Sequence, residues 1–318
     1  MARYHRCALI SCEVPWDDRE QLIEPVFREQ VRRGIASGFK DLYIFGTAGE
    51  GYAVDTPRFD RVARVFREET SIEGVNAGCG VIGLSTANII ERLRIAHGIG
   101  FRFFQISLPS WGALNDAEVM RFFRDVCGAF PDSRFLHYNL MRTKRLLTVD
   151  DYVRIVAEVP NLAATKNTGT TVDSTAALVR RTPELQHFFG EAMFPLGCLN
   201  GECSLLSSWA PMVPWAALRL FGLGVGGRVE ELFHFHRDYL EMTRAVIAPM
   251  LRHTLMDGAY DKAIVRLGGL EEMPLRLLSP YETVSEETYQ ECRRILHQEF
   301  ADWLASNPRN TVRSGGWA

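Results

Sequence analysis

Lysine is nearly missing from this chain. Of its 36 basic residues, only Lys40, Lys144, Lys166 and Lys262 are lysines, and the rest are arginines. Where a bare positive charge suffices the sequence writes Arg, so each Lys raises the question of what a guanidinium could not do there. Long apolar runs are missing too. No stretch approaches the roughly 20 residues of a membrane span. In MARYHRCALISCEVPW, Glu13 and Pro15 end the apolar run before signal-peptide length. These absences predict a cytoplasmic protein with no membrane partner. No excess of one charge sign exists either: the net charge is -3, and no basic cluster alternates with aromatics. That argues against a nucleic-acid partner. The seven cysteines are odd in number and scattered, which argues against a disulfide framework and for reduced thiols.

What is present is an ordinary globular composition, 47% hydrophobic over 318 residues, enough for one large barrel or two medium domains. Short apolar runs alternate with amphipathic stretches. Strand-like runs fall at 7–11, 42–47, 75–81, 101–109, 134–140, 161–167, 186–192 and 204–209. Helical patterns fall at 19–37, 55–69, 85–98, 115–129, 148–157 and 172–182, several opened by capping residues. This repeat predicts a (β/α)8 barrel, which takes about 250 residues; a doubly wound open sheet shares the alternation and stays as the alternative. From about 228 the pattern turns helical, with further helices at about 259–267 and 285–305. The expected organisation is a barrel over 1–227, a C-terminal helical extension over 228–306, and a flexible tail over 307–318.

Lys166 stands out because it closes the apolar run LAATKN. Side chains alternate along a strand, so Leu162, Ala164 and Lys166 share one face. In a barrel that face points into the packed interior, with Lys166 at the C-terminal mouth where catalytic groups sit. Burial there lowers an amine's pKa and raises its nucleophilic fraction, as Schiff-base formation requires. The competing reading is a strand-end lysine whose head snorkels into solvent. Tyr138 ends the preceding strand, which places a proton-carrying phenol beside the amine. The run GTAGEG at 46–51 makes a turn whose backbone N–H groups can cradle a carboxylate, with the Thr47 hydroxyl beside them.

Other motifs are decoys. Gly78–Gly83 spells GxGxxG, but no acidic residue follows in FRFFQISLPS, as a dinucleotide site wants. GLGVGG at 222–227 lacks a strand–turn–helix context. His234 and His236 read as helix-face residues rather than a metal pair. Cys198 and Cys203 are too widely spaced for a CxxC site. No cofactor and no metal is expected.

Taken together, GTAGE (46–50), YN followed by Arg-Thr (138–143), Lys166, and Gly190-Glu191 before PLGCLNGE (195–202) resemble the dihydrodipicolinate synthase / N-acetylneuraminate lyase family, in its order and over roughly residues 5 to 305. The resemblance implies a metal-independent class I aldolase-type lyase on a (β/α)8 barrel, usually a homotetramer built from dimers. By it, Lys166 forms the Schiff base with pyruvate or another 2-oxo acid. Tyr138 transfers protons, Thr47 joins the relay, and Gly46 and Ala48 belong to the carboxylate cradle. Arg142 approaches a second acidic group on the substrate. Trp111, Gly190 and Gly201 complete the expected substrate-binding set. Two departures stand out. Ala48 replaces a hydroxyl residue, and Trp111 stands where the synthases carry a tyrosine that reaches across a dimer interface; indole donates but cannot shuttle protons. The loop after Asn139 is also one residue shorter than the usual form. These argue against authentic dihydrodipicolinate synthase activity and for a relative with another aldehyde partner, or a dehydratase on a 2-keto-3-deoxy sugar acid. A non-catalytic oxoacid- or sugar-acid-binding barrel and a nicotinamide-dependent oxidoreductase are the rivals.

Overall fold

The computed structural model describes residues 3–304; the expected tail at 307–318 lies outside them. Eight parallel strands close into a barrel in chain order, β8 pairing with β1. They are β1 (Ala8–Ser11), β2 (Asp41–Ile44), β3 (Asn76–Gly80), β4 (Phe103–Ile106), β5 (Arg134–Asn139), β6 (Leu162–Asn167), β7 (Gln186–Phe189) and β8 (Ser204–Ser207). The helices between and after them are α1 (Glu24–Ala36), α2 (Thr56–Glu69), α3 (Thr86–Ile99), α4 (Asp116–Gly128), α5 (Val149–Glu158), α6 (Val172–Arg181), α7 (Phe194–Cys198) and α8 (Pro214–Val225). Four more follow: α9 (Val229–Ile247), α10 (Asp257–Leu267), α11 (Glu286–Glu299) and α12 (Ala301–Leu304). The closed ring excludes the open doubly wound sheet. No helix among the described residues is long and apolar enough to cross a membrane.

Strands buried on both faces read as continuous apolar runs, and the two faces feed two cores. Leu9, Tyr43, Phe103, Leu136, Ala164, Phe188 and Leu206 fill the barrel interior. Ile10, Leu42, Phe104, Phe135, Phe189 and Leu205 point outward into the larger core beneath the helices. Tyr4 plugs the interior at the strands' N-terminal end, its ring stacked on Phe103 at 4.0 Å. The register of β5 against β6 slips between Phe135 and Leu136, so that Phe135 faces Leu162 and Leu136 faces Ala164. This bulge corrects the expected alternation: Leu162 joins the outer core, while Ala164 lies inside. Past the bulge the register is regular, and Tyr138 pairs directly with Lys166.

Helix starts follow their caps. Asp55, Ser85, Asn115, Thr148 and Thr171 each accept a hydrogen bond from the backbone N–H three residues on, which satisfies a donor the helix leaves open. The first helix begins at Glu24 rather than 19, because Pro25 sits in its opening turn and Trp16 bridges Leu22 just before it.

The helices after β8 are tied to the barrel through the GTAGEG turn. Glu50 is wholly buried and pairs with the buried Lys262 of α10 at 2.5 Å. Its two oxygens also accept from Trp16 Nε1 at 2.9 Å and from the Leu278 N–H at 2.7 Å. A Cβ at Gly258 would lie 3.1 Å from the Ala48 carbonyl oxygen, so α10 rests directly on the turn.

Candidate active site

The site begins with adjacent strand positions. Tyr138 and Lys166 are register partners on β5 and β6, so their side chains leave the sheet on the same, inward side. Lys166 is only 8% exposed, which rejects the solvent-facing alternative. Its Nζ lies 4.0 Å from the centre of the Tyr138 ring. It donates a hydrogen bond to the Tyr43 hydroxyl at 3.1 Å. Tyr43 comes from β2, across the barrel, and sequence reasoning missed it. The signal that could have found it is period: Asp41 and Tyr43 alternate with the outward Leu42 and Ile44, which puts a phenol inside.

The expected drop in the Lys166 pKa is not what this surrounding produces. Burial does oppose the charge, but the oxygens of Tyr138 and Tyr43, the Tyr43 hydrogen bond and the Asp261 carboxyl outweigh it, and the amine is held above the ordinary lysine value. Burial and the Tyr138 phenol were legible in the sequence; the other oxygens arrive from β2 and α10, far along the chain. Asp261 is the second missed residue. Burial first, then the negative fields of Glu13 and Asp257, push its carboxyl well up, against the opposing pull of Lys166.

Gly46 must be glycine here. A Cβ would fall 2.8 Å from the Tyr43 ring and 2.9 Å from its hydroxyl oxygen, closer than real contacts allow. The turn is held by Gly51 N–H to the Gly46 carbonyl at 3.2 Å and Glu50 N–H to the Thr47 carbonyl at 3.1 Å. Among the described residues the N–H groups of Thr47 and Ala48 have no acceptor, so two donors stand open. The Thr47 side chain is buried, and no hydrogen bond joins its hydroxyl to that of Tyr138. Gln105, inward-facing on β4, is also buried, and neither end of its amide has a partner.

The remaining expected residues scatter. Arg142, after β5, makes a two-pronged ion pair with Asp257 of α10, both contacts at 2.9 Å. Its charge is thus already matched by a carboxylate of the chain. Gly190 follows β7, where a Cβ would meet open space, and the neighbouring Glu191 is buried, accepting from Ser207 at 2.7 Å and from the Ser208 and Trp209 N–H groups. Trp111 is 82% exposed, with Lys144 Nζ 5.9 Å above its ring. Gly201 is displaced outright. The segment before it folds into α7 and returns the chain to the strands' N-terminal end, so Gly201 lies on the α7–β8 connection, opposite the mouth.

That far end also holds His5, Cys7 and Asp41, whose ligand atoms lie within 4.8 Å of one another. There Asp41 is taken up by the Tyr4 hydroxyl at 2.7 Å and by His5 Nε2 at 2.8 Å. A cavity of about 50 Å³ lies outside the barrel among Gln30, Arg33, Pro211 and Leu270, and none of the candidate residues lines it.

Comparison with known proteins agrees with this architecture. The chain is 21% identical to an N-acetylneuraminate lyase of Citrobacter koseri over 299 residues, 94% of this chain and 98% of that one. It is 26% identical to a 4-hydroxy-tetrahydrodipicolinate synthase of Aromatoleum aromaticum over 291 residues, 88% and 94% of the two chains. The fold superposes with a TM-score of 0.80 on YagE of E. coli K12, a prophage protein of the dihydrodipicolinic acid synthase family solved in complex with pyruvate, at 18% identity over 92% of this chain and 98% of that one. The model of the dihydrodipicolinate synthetase family matches residues 7–299, and the chain belongs to that family.

Proposed function

We propose that the protein is a class I lyase that forms a Schiff base between Lys166 and pyruvate or another 2-oxo acid. The observation that carries the reading is the Lys166 nitrogen itself: buried at the mouth end of β6, bonded to one phenol and lying over the ring of another. Membership in a family that includes an N-acetylneuraminate lyase and a 4-hydroxy-tetrahydrodipicolinate synthase supports it. The same reading divides the chain into a barrel over 1–227 and an extension over 228–306 that supplies Asp257 and Asp261, and places it in the cytoplasm as a homo-oligomer.

The substrate carboxylate sits on the open N–H groups of Thr47 and Ala48. Lys166 rests as the ammonium, so a proton must leave before attack. It passes to solvent at the mouth, to which Lys166 is still 8% exposed. The free amine adds to the C2 carbonyl, water departs, and the iminium accepts the electron pair released when the C3–C4 bond breaks or a C3 proton leaves. Tyr138, beside the new bond, carries protons to and from it. Both cleavage and dehydration pass through this intermediate. Arg142, bound by Asp257, weakens the expectation of a second substrate carboxylate at that position, and Ala48 and Trp111 weaken that of an authentic dihydrodipicolinate synthase. The same two departures favour the second reading, a barrel that binds an oxoacid or sugar acid without turnover.

Borohydride reduction in the presence of pyruvate tests the proposal. Mass spectrometry should find a trapped adduct on Lys166, and Lys166→Ala should give none. If a panel of 2-oxo acids and 2-keto-3-deoxy sugar acids stabilises the fold against heat yet leaves no adduct, the binding-only barrel is the better account.

A further inference from the structure

Away from the mouth, two sulfur atoms meet. Cys198 ends α7 and Cys203 lies just before β8, and their Sγ atoms are 3.7 Å apart. Both belong to the α7–β8 connection, at the strands' N-terminal end. Cys198 is half-buried, whereas Cys203, Cys7, Cys12, Cys79, Cys127 and Cys292 are buried. Arg6 binds this corner. Its Nε donates to the Cys203 carbonyl at 3.0 Å, and its Nη2 lies 3.7 Å from Cys198 Sγ and 3.4 Å from the Gly224 carbonyl. A fixed cation beside a partly exposed thiol favours the thiolate, which is the reactive form. The two thiols are polarised accordingly: the hydrogen bond from Cys203 and then the Arg6 field hold Cys198 below the ordinary value, while that same contact and burial hold Cys203 above it. One sulfur is prepared to attack, and its neighbour waits as a thiol within reach.

We propose that Cys198 and Cys203 form a peroxide-responsive dithiol that closes to a disulfide through a sulfenic acid on Cys198. The Cys198 thiolate attacks one oxygen of a hydroperoxide. An S–O bond forms, the O–O bond breaks, and the departing oxygen takes a proton to leave as water or alcohol; the sulfur is oxidised by two electrons. The Cys203 thiol then attacks that sulfur. The S–S bond forms, the S–O bond breaks, and hydroxide leaves with the Cys203 proton as water. In sum, two thiols and one hydrogen peroxide give a disulfide and two waters. The bond staples the end of α7 to the start of β8, at the opposite end of the barrel from Lys166.

The test uses the full-length wild-type chain, reduced and then treated with hydrogen peroxide. Intact mass should fall by about 2 Da, the two hydrogens lost on forming a disulfide. Non-reducing peptide mapping should place the link between residues 198 and 203, and dithiothreitol should reverse it. In Cys203→Ser the sulfenic acid has no thiol to meet, and dimedone should label Cys198; in Cys198→Ser neither label nor link should form. A link to a different cysteine, oxygen added at Cys198 without a link in wild type, or unchanged thiols at peroxide levels that oxidise Cys198-containing unfolded chain would each overturn the proposal. The wild-type map decides even where a variant fails to fold.

Discussion

Tyr43 touches Lys166 from the far wall of the barrel. A hydroxyl oxygen that accepts from an ammonium stabilises the charged form, and at Tyr43 it does so in a place water does not dilute. Tyr43→Phe keeps the ring and removes that oxygen, so the lysine pKa should fall. The measurement is the pH dependence of borohydride trapping with pyruvate. Its rising limb should move to lower pH, and trapping below the limb should quicken about tenfold for every pH unit the limb moves. A limb that stays where it is would show that Tyr43 does not set the amine's charge. Tyr138 and Lys166 were legible as a pair because neighbouring strands of a barrel are consecutive in the chain. Tyr43 was not, since it stands 123 residues from Lys166 and meets it only once the ring of strands is closed.

At the level of elements, the turn after β2 and helix α10 act as one unit. Glu50 and Lys262 are both wholly buried, and burial pushes the lysine pKa down against the carboxylate's pull. Removing one partner of such a pair leaves a charge without compensation, which costs about 3–5 kcal/mol. Glu50→Gln should lower the stability measured by urea unfolding by that amount; a change under about 1 kcal/mol would mean the pair is not held as described. The eight-strand rhythm and most helix starts were readable because periodicity and caps are local. Helix α8 was not. Its GLGVG run argues against a helix by propensity, yet a Cβ at Gly224 would strike Phe194 at 2.6 Å and Cys198 at 2.8 Å. Glycine is there for close packing between α8 and α7, a reason that exists only in three dimensions. The bulge that turned Leu162 outward was hidden for the same reason, because alternation assumes an unbroken register.

Over the molecule as a whole, acid should act through histidines sealed in the core. Burial pushes His137 down to about 3 and His187 down to about 4, against 6.5 in an open chain. Between pH 6.5 and 4 the unfolded chain therefore binds the extra proton, and stability falls as pH falls. Glu13, Asp261 and Glu191, all raised by burial, act in the opposite sense, so the histidine contribution is read as a difference between proteins. His187→Gln should lose up to about 1.4 kcal/mol per pH unit of the acid sensitivity that wild type shows in urea titrations across that window. Parallel curves for the two proteins would refute a neutral, buried His187.

Helix α10 has a consequence of its own. Asp257, which clasps Arg142, and Asp261, whose field reaches the Lys166 amine, belong to chain that follows the last barrel strand by some fifty residues. The chamber around Lys166 is thus roofed by a segment outside the eight-stranded frame, fixed to it at the turn after β2. Sequence drift in that roof, by sliding or tilting one helix, can recast which guests are admitted while every strand residue stays as it is.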